Sequence, residues 1–507
     1  MNSPEKNICE LKELKKNAGD TLYSSYIIQF ATKIFSILSQ LIIARFFLTT
    51  EEYGVFLYVF FIFSIVNNLR DFGISTQIVR RRDINYDLLN SFFLIISLII
   101  TAGQIIYGVF IYRQDGMFAR SLIIMSLSYI PTAISSAPSI YFLQNLLIKR
   151  TVLPRLVSIF GYFIFSVLFS FFQWGPEGLA WAKLIQSVIF TVMIWPPFIK
   201  AVKIKFKLTG SFQIVKDSFS FFINDNLGLI TAEIYNYVIN LYINPAALAL
   251  YRAAHSLVDI PVKVVEQAFY KVAYPLFSKL VDDKEKLLDS YVALTVLIMV
   301  VETPIYAFMF FNDKLLIFLT YGQKYAESAI LIKCLAFVPI FTPMTTFGIE
   351  LIKSLRKDKM MLTYISIGSF FIIFFSFVFT YYYGIVGAAL ANYFGLNYFI
   401  IYYFIYINFK RHFWIVTRYT ILIYSASFIP MMIISNFVIK FDFIDFYIEE
   451  ITKFIKIYSM PLAVKFHDLT LKTDLISSGI IHFAALCVIL FVLYISIFKK
   501  MKNRVFS

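Results

Sequence analysis

Cysteine and charge are both scarce in this 507-residue chain. The three cysteines, Cys9, Cys334 and Cys487, lie far apart. None has the close spacing of a redox pair or a metal site, so they read as ordinary thiols, and no metal or cofactor is expected. Charged residues make up only 15% of the chain, against about a quarter in a soluble protein. No phosphate loop of the GxxxxGK[ST] type occurs, which argues against direct ATP use. Long polar segments are missing too. Only the stretch 437–474 is a loop of any length, which leaves no room for a soluble catalytic domain.

What is present is apolar. Hydrophobic residues make up 59%, mean hydropathy is +0.74, and there are 58 Phe and 34 Tyr. That composition suits lipid-facing and interfacial surface. The net charge of +15 raises nucleic acid as a partner. The basic residues, however, sit in short clusters between apolar runs, which membrane topology explains and nucleic-acid binding does not.

Fourteen apolar runs are long enough to cross about 30 Å of hydrocarbon. They lie near 21–46, 55–80, 88–112, 118–147, 152–172, 178–198, 219–243, 250–277, 288–312, 326–352, 360–383, 385–409, 415–436 and 475–498. A polar cytoplasmic tail, residues 1–20, precedes the first. No small-residue cleavage site follows that run, so it reads as a retained span. With the N-terminus inside, the cytoplasmic segments hold 28 of the 46 Lys and Arg residues and the outside segments nine. This bias predicts N-in, C-in topology.

The chain also repeats. Phe47-Leu-Thr-Thr-Glu-Glu-Tyr-Gly54 corresponds to Tyr242-Ile-Asn-Pro-Ala-Ala-Leu-Ala249. Gly175-Pro-Glu-Gly178-Leu-Ala180-Trp-Ala182 corresponds to Gly384-Ile-Val-Gly387-Ala-Ala389-Leu-Ala391. Each pair falls at matching span positions. The expected fold is therefore an all-α membrane protein of about 14 transmembrane helices. Two six-helix lobes, 21–209 and 210–412, are related by a pseudo-two-fold, and 413–507 adds two helices around the outside loop 437–474. Parallel repeats of this kind place a transporter's site at their interface.

Polar residues inside spans carry the functional signal. In span 8, Asp259, Lys263 and Glu266 cost about 8–10 kcal/mol if they face lipid, while its apolar residues return only about 5. Arg252, His255, Asp259, Lys263 and Glu266 step by three or four and form one face, extended by Lys271, with Pro261 expected to kink the helix. Span 1 carries Gln29, Lys33, Ser36 and Gln40 on one face. Span 7 carries Asp225, Asn226, Glu233, Asn236 and Asn240, and span 2 groups Asn67, Asn68, Arg70 and Asp71. Spans 3, 5 and 13 read as nearly uncharged. The simplest construction is a hydrated cavity lined by spans 1, 2, 7 and 8. The same charges also read as buried ion pairs that only hold helices together, Arg70 with Asp71 or Asp259 and Lys263 with Glu266.

Cations at staggered depths suit a mobile phosphate or pyrophosphate. Asp71, Asp225, Glu233, Asp259, Glu266 and Glu302 are candidates for coupling to H+ or Na+. His255 is a hydrogen-bonding partner or a proton carrier.

Several motifs carry a family resemblance. Ile42-Ile-Ala-Arg45-Phe-Phe-Leu-Thr-Thr-Glu-Glu-Tyr-Gly54-Val-Phe, followed by Leu69-Arg-Asp-Phe-Gly73-Ile-Ser-Thr, resembles the opening of Wzx-type polysaccharide exporters. These are O-antigen and capsule repeat-unit flippases of the multidrug/oligosaccharidyl-lipid/polysaccharide exporter superfamily. Ala249-Leu-Tyr251-Arg-Ala-Ala-His-Ser, continuing to Tyr274-Pro275-Leu-Phe-Ser, resembles their second half. The resemblance covers residues 20–410. It implies a V-shaped bundle of two lobes that alternates between inward- and outward-open states, with no enzymatic activity. The implied substrate is an undecaprenyl-pyrophosphate-linked oligosaccharide, moved to the outer leaflet of the inner membrane for lipopolysaccharide or other surface polysaccharide synthesis. Membrane lipids and a polymerase of the same pathway are the implied partners. By carry-over, Lys33, Arg70, Arg252 and Lys263 meet the pyrophosphate or acidic sugars, and Lys271, Gln29, Gln40 and Asn240 complete the expected substrate site. Many relatives have twelve spans. The two extra ones match the lipid II flippases and read either as an extended groove for the lipid tail or as a peripheral addition. The segment Tyr447–Ile457, apolar at helical spacing, is expected to lie on the outer membrane surface. A drug exporter of the same superfamily and a membrane polymerase or ligase are the alternatives.

Overall fold

The computed structural model describes residues 28, 31–71, 74, 86–145, 147–200, 228–262, 265, 267–337, 342–394, 397–440, 481–490, 492 and 493. Every regular element among them is helical. Among the described residues, eight helices are long and apolar enough to cross a membrane. Each of the other six predicted spans includes residues outside the described ones. The chain divides into two compact units, residues 1–249 and 250–507.

In the first unit, α1 covers residues 31–42 and runs into a π-helical turn, Ile43–Phe47. It is followed by α2 (Thr50–Asp71) and α3 (Tyr86–Ile111). The next crossing, Gly116–Gln144, is α4 (Gly116–Ser126) and α5 (Tyr129–Gln144), separated by a turn at Leu127 and Ser128. The helices α6 (Lys149–Phe171) and α7 (Gly175–Ile199) form a closely packed hairpin, and α8 covers residues 228–242. Buried aromatic and aliphatic side chains join α3, α5 and α7, among them Phe93, Phe142 and Phe198.

The second unit begins within α9 (Pro245–Pro261). This helix runs to Pro261, π-helical residues follow at 262 and 265, and α10 covers Gln267–Lys279. Then come α11 (Lys284–Phe311), α12 (Asp313–Thr320), α13 (Ala329–Leu335) and α14 (Thr342–Ser354). The chain continues with α15 (Asp358–Ala391), α16 (Asn397–Asn408), α17 (Lys410–Lys440) and α18 (Ile481–Leu490). Its main core gathers α10, α11, α14, α16, α17 and α18. Val416, Ile423 and Met431 of α17 and Leu486 and Ile489 of α18 are buried in that core. The last two helices therefore pack one face of each against the core of the second unit. The segment Tyr447–Ile457 lies outside the described residues.

The repeated motifs share local geometry. Thr49 and Asn244, 195 positions apart, each accept a backbone N–H three residues on and so cap α2 and α9. Gly175 and Gly384 both have positive φ, 57° and 59°, a conformation that only glycine adopts without strain. Three residues later, a Cβ on Gly178 would meet Phe169, and one on Gly387 would meet the Phe379 carbonyl.

Candidate functional site

Arg70 and Asp71 end α2 at an internal wall of the first unit. Arg70 is 4% exposed. Its Nη1 donates to Ser97 Oγ on α3 at 3.1 Å and to the Tyr129 carbonyl at 3.5 Å, and its Nη2 donates to Ser136 Oγ on α5 at 3.4 Å. The guanidinium also lies 5.7 Å from the Phe93 ring centroid. Hydrogen bonds to a charged group contribute about 1.5–3 kcal/mol each, so these offset part of the cost of burying it. Asp71 supplies a nearby attracting charge.

Arg70 forms part of a partly open cavity of about 650 Å3. Helix α5 contributes Ser135, Ser136 and Ser139. Helix α6 contributes Arg155 and Ser158, and α7 contributes Lys183 and Gln186. Thr32 of α1, Asn67 and Asn68 of α2, Thr132 of α5 and Ser187 of α7 complete the polar lining. The serine hydroxyls donate to carbonyls of their own helices, as in Ser136 to Thr132 at 2.8 Å and Ser158 to Arg155 at 2.8 Å. Such bonds let a hydroxyl sit in an apolar helix, and its rotor can turn the proton to a ligand instead.

Arg155 is exposed and Lys183 half-buried. Aromatic faces position both. The Arg155 guanidinium lies 4.9 Å from the Phe190 centroid, and Lys183 Nζ lies 5.6 Å from Phe60 and 5.9 Å from Phe63. Lys183 also donates to Gln186 Oε1 at 2.9 Å. The two cations repel each other. The cavity lining thus holds three cations, Arg70, Arg155 and Lys183, and one carboxylate, Asp71.

Of the residues singled out from the sequence, this cavity gathers Asn67, Asn68, Arg70 and Asp71. Lys33 and Gln40 are half-buried on α1, outside its lining. Asn240 of α8 hydrogen-bonds the Tyr58 hydroxyl of α2, and Glu233 accepts from Asn236 on its own helix. In the second unit Arg252, His255 and Asp259 follow one another along α9. His255 Nδ1 is 3.4 Å from Asp259 Oδ2, and the Arg252 charge acts on the Tyr321 hydroxyl. Glu302 is buried on α11. Gln29, Asp225, Lys263, Glu266 and the side chain of Lys271 lie outside the described residues.

The fifth and sixth spans line this cavity, although the sequence did not mark them among its lining helices. Arg155 faces the cavity from α6, and Lys183 joins it from α7. Each is one cation in a long apolar run, so counting charges along the chain misses them. The usable signal was a mixed polar stripe. Arg155 and Ser158 are three apart, and Lys183, Gln186, Ser187 and Phe190 repeat at helical spacing.

Residues 42–330, more than half of the chain, match the family described as polysaccharide biosynthesis protein. The chain belongs to this family. No curated protein sequence matches it. The fold of this polysaccharide biosynthesis protein is similar to that of the lipid II flippase MurJ in its inward closed conformation. There the identity is 15% and the TM-score 0.69, over 93% of this chain and 99% of that one. It is similar also to an inward-facing multidrug resistance MATE family transporter of the MOP superfamily, with 14% identity and TM-score 0.58 over 76% and 95% of the two chains. A third similar structure is a MOP superfamily transporter from Pyrococcus furiosus, described as having a binding pocket of reverse polarity. Its identity is 14% and its TM-score 0.53, over 82% and 96%. The polysaccharide biosynthesis protein is thus a multi-pass membrane protein with the fold of MOP-superfamily transporters.

Proposed function

We propose that this protein is a flippase for lipid-linked oligosaccharides. It moves undecaprenyl-pyrophosphate-linked repeat units from the cytoplasmic to the outer leaflet of the inner membrane by alternating access, for O-antigen or another surface polysaccharide. The observation that carries this reading is a cation-rich polar cavity inside an apolar helical unit of a polysaccharide biosynthesis protein. Charges buried within a membrane protein are costly and mark substrate or ion pathways. The likeness in fold to a lipid II flippase supports a lipid-linked substrate.

In this mechanism the sugar–pyrophosphate headgroup enters a cytoplasm-facing site while the polyprenyl tail stays in lipid. The lobes 21–209 and 210–412 rock, and the site opens outward. Lys33, Arg70, Arg252, Lys263 and Lys271 offset the headgroup's desolvation, and Gln29, Gln40 and Asn240 hydrogen-bond the sugars. Affinity in the two states must be similar, or the substrate is trapped in one. Asp71, Asp225, Glu233, Asp259 and Glu266 are the groups for coupling to H+ or Na+, and a polymerase of the same pathway consumes the product. The protein lies with both termini in the cytoplasm.

A drug exporter shares this fold, but its cavity should be dominated by acids and aromatics to attract cationic drugs. Here the cavity lining has three cations to one carboxylate. The test is a strain lacking the gene, with its polyprenyl-linked intermediates extracted and assigned to a membrane face. Single complete repeat units held on the cytoplasmic face, with surface polymer lost, are expected. Units that reach the outer face unpolymerised overturn the reading in favour of a polymerase or ligase, and an unchanged pool favours a drug exporter. In the complementing gene, Lys33→Ala and Arg70→Ala should each abolish export while the protein remains in the membrane. Full export by both variants removes these cations from the mechanism.

A further inference from the structure

We propose that the cavity of the first unit binds a phosphate or diphosphate oxyanion through Arg155 and Lys183, with Arg70 as a fixed charge in its wall. That this oxyanion belongs to a lipid-linked substrate rests on the flippase reading. The binding chemistry itself does not.

The three cations differ in what they have left to give. A guanidinium has five N–H donors. Arg70 spends three of its four Nη N–H donors on Ser97, the Tyr129 carbonyl and Ser136, and its Nε is sealed from solvent. Its role is to hold α2 against α3 and α5 and to set the potential of the cavity. The Arg155 guanidinium donates no hydrogen bond among the described residues, and it lies over the Phe190 ring. Lys183 uses one of three N–H donors, on Gln186. Neither has a carboxylate partner within ion-pair distance among the described residues, and each raises the energy of the other.

Two cations held by aromatic faces, mutually repelling and rich in unspent donors, are compensated by an anion placed between their helices. A phosphate group fits the chemistry. It carries more than one negative charge, accepts a bidentate guanidinium contact and takes an ammonium as a point charge. Ser135 and Ser139 on α5 and Ser158 on α6 supply hydroxyls that can turn to the remaining oxygens. The α6–α7 hairpin carries both cations, so ligand occupancy acts on its packing.

The test uses the full-length protein in lipid nanodiscs, in a buffer without multivalent anions. Binding and melting temperature are measured with inorganic pyrophosphate and with farnesyl diphosphate. Both probes should bind the wild type and raise its melting temperature. Arg155→Gln and Lys183→Gln should each weaken binding about tenfold or more, the scale of one lost charge-assisted contact, and the double variant should lose it. Arg155→Lys should retain part of the affinity. Without ligand, the two Gln variants should melt no lower than the wild type, because removing one cation relieves the repulsion. That readout separates loss of a binding group from loss of fold. Tighter binding of farnesyl diphosphate than of pyrophosphate identifies a lipid headgroup as the ligand, and equal or weaker binding identifies a free anion. Equal pyrophosphate affinity in the wild type and the double variant, or no binding of either probe by the wild type, overturns the proposal. If a strain lacking the gene keeps its surface polymer while binding depends on Arg155 and Lys183, the flippase reading falls and the anion site stands. If export is lost but binding ignores both residues, the reverse holds.

Discussion

Thr49 precedes a helix whose first backbone N–H groups have no partner within the helix. Its Oγ1 accepts the Glu52 N–H at 3.2 Å, and Glu52 Oε2 accepts the Thr49 N–H at 2.8 Å. The pair forms a reciprocal capping box. Thr49→Ala should lower stability by about 1 kcal/mol, read as a lower melting temperature in detergent. The Arg120–Glu177 ion pair at 2.5 Å looks stronger, but its side chains are 46% and 27% exposed. Water screens such a pair to about 0–1 kcal/mol, so Arg120→Ala should change the melting temperature less than Thr49→Ala does. A cap satisfies a donor with no other partner, whereas an exposed ion pair only replaces hydration.

At the scale of elements, glycine separates close approach from open surface. A Cβ on Gly54 of α2 would lie 1.8 Å from the Pro245 carbonyl oxygen at the start of α9, while one on Gly103 of α3 meets nothing within 4 Å. Gly54→Ala must displace backbone and should cost about 1–3 kcal/mol or more. Gly103→Ala should be neutral or stabilising by up to about 1 kcal/mol, because alanine favours the helix. Thermal unfolding of the two variants side by side checks this; equal effects would show that the close approach carries no energy. The motifs around Gly54, Gly175 and Gly384 were visible as repeats, because turn geometry restricts residue type locally. That Gly54 touches Pro245 was not visible, since nothing local encodes which backbone a glycine faces.

For the whole molecule, the two C-terminal helices decide how far the second unit extends. Leu486, Ile489 and Leu493 are buried in the same core as Val296, Met299 and Val416, and Phe311 stacks on His482 at 6.2 Å. Removing residues 475–507 strips these side chains from a protein core, and lipid replaces their hydrophobic contacts without reproducing their packing. The truncated protein should melt lower and lose export. An unchanged melting temperature would show that the unit is complete without α18.

The sequence by itself determined that this chain lives in a membrane, because apolar length and the distribution of Lys and Arg are properties of the linear chain. It also marked the repeated motifs and the family, through short motifs whose constraints are local. It marked Arg70 and Asp71, since adjacent charges inside an apolar run need a reason on any fold. Only the tertiary structure decided that Arg155 and Lys183 share a cavity with Arg70 and that α17 and α18 belong to one core. The energy of a cation within a bilayer depends on the groups that neighbouring helices bring to it. Those neighbours, separated along the chain by tens of residues, meet only once the helices have packed.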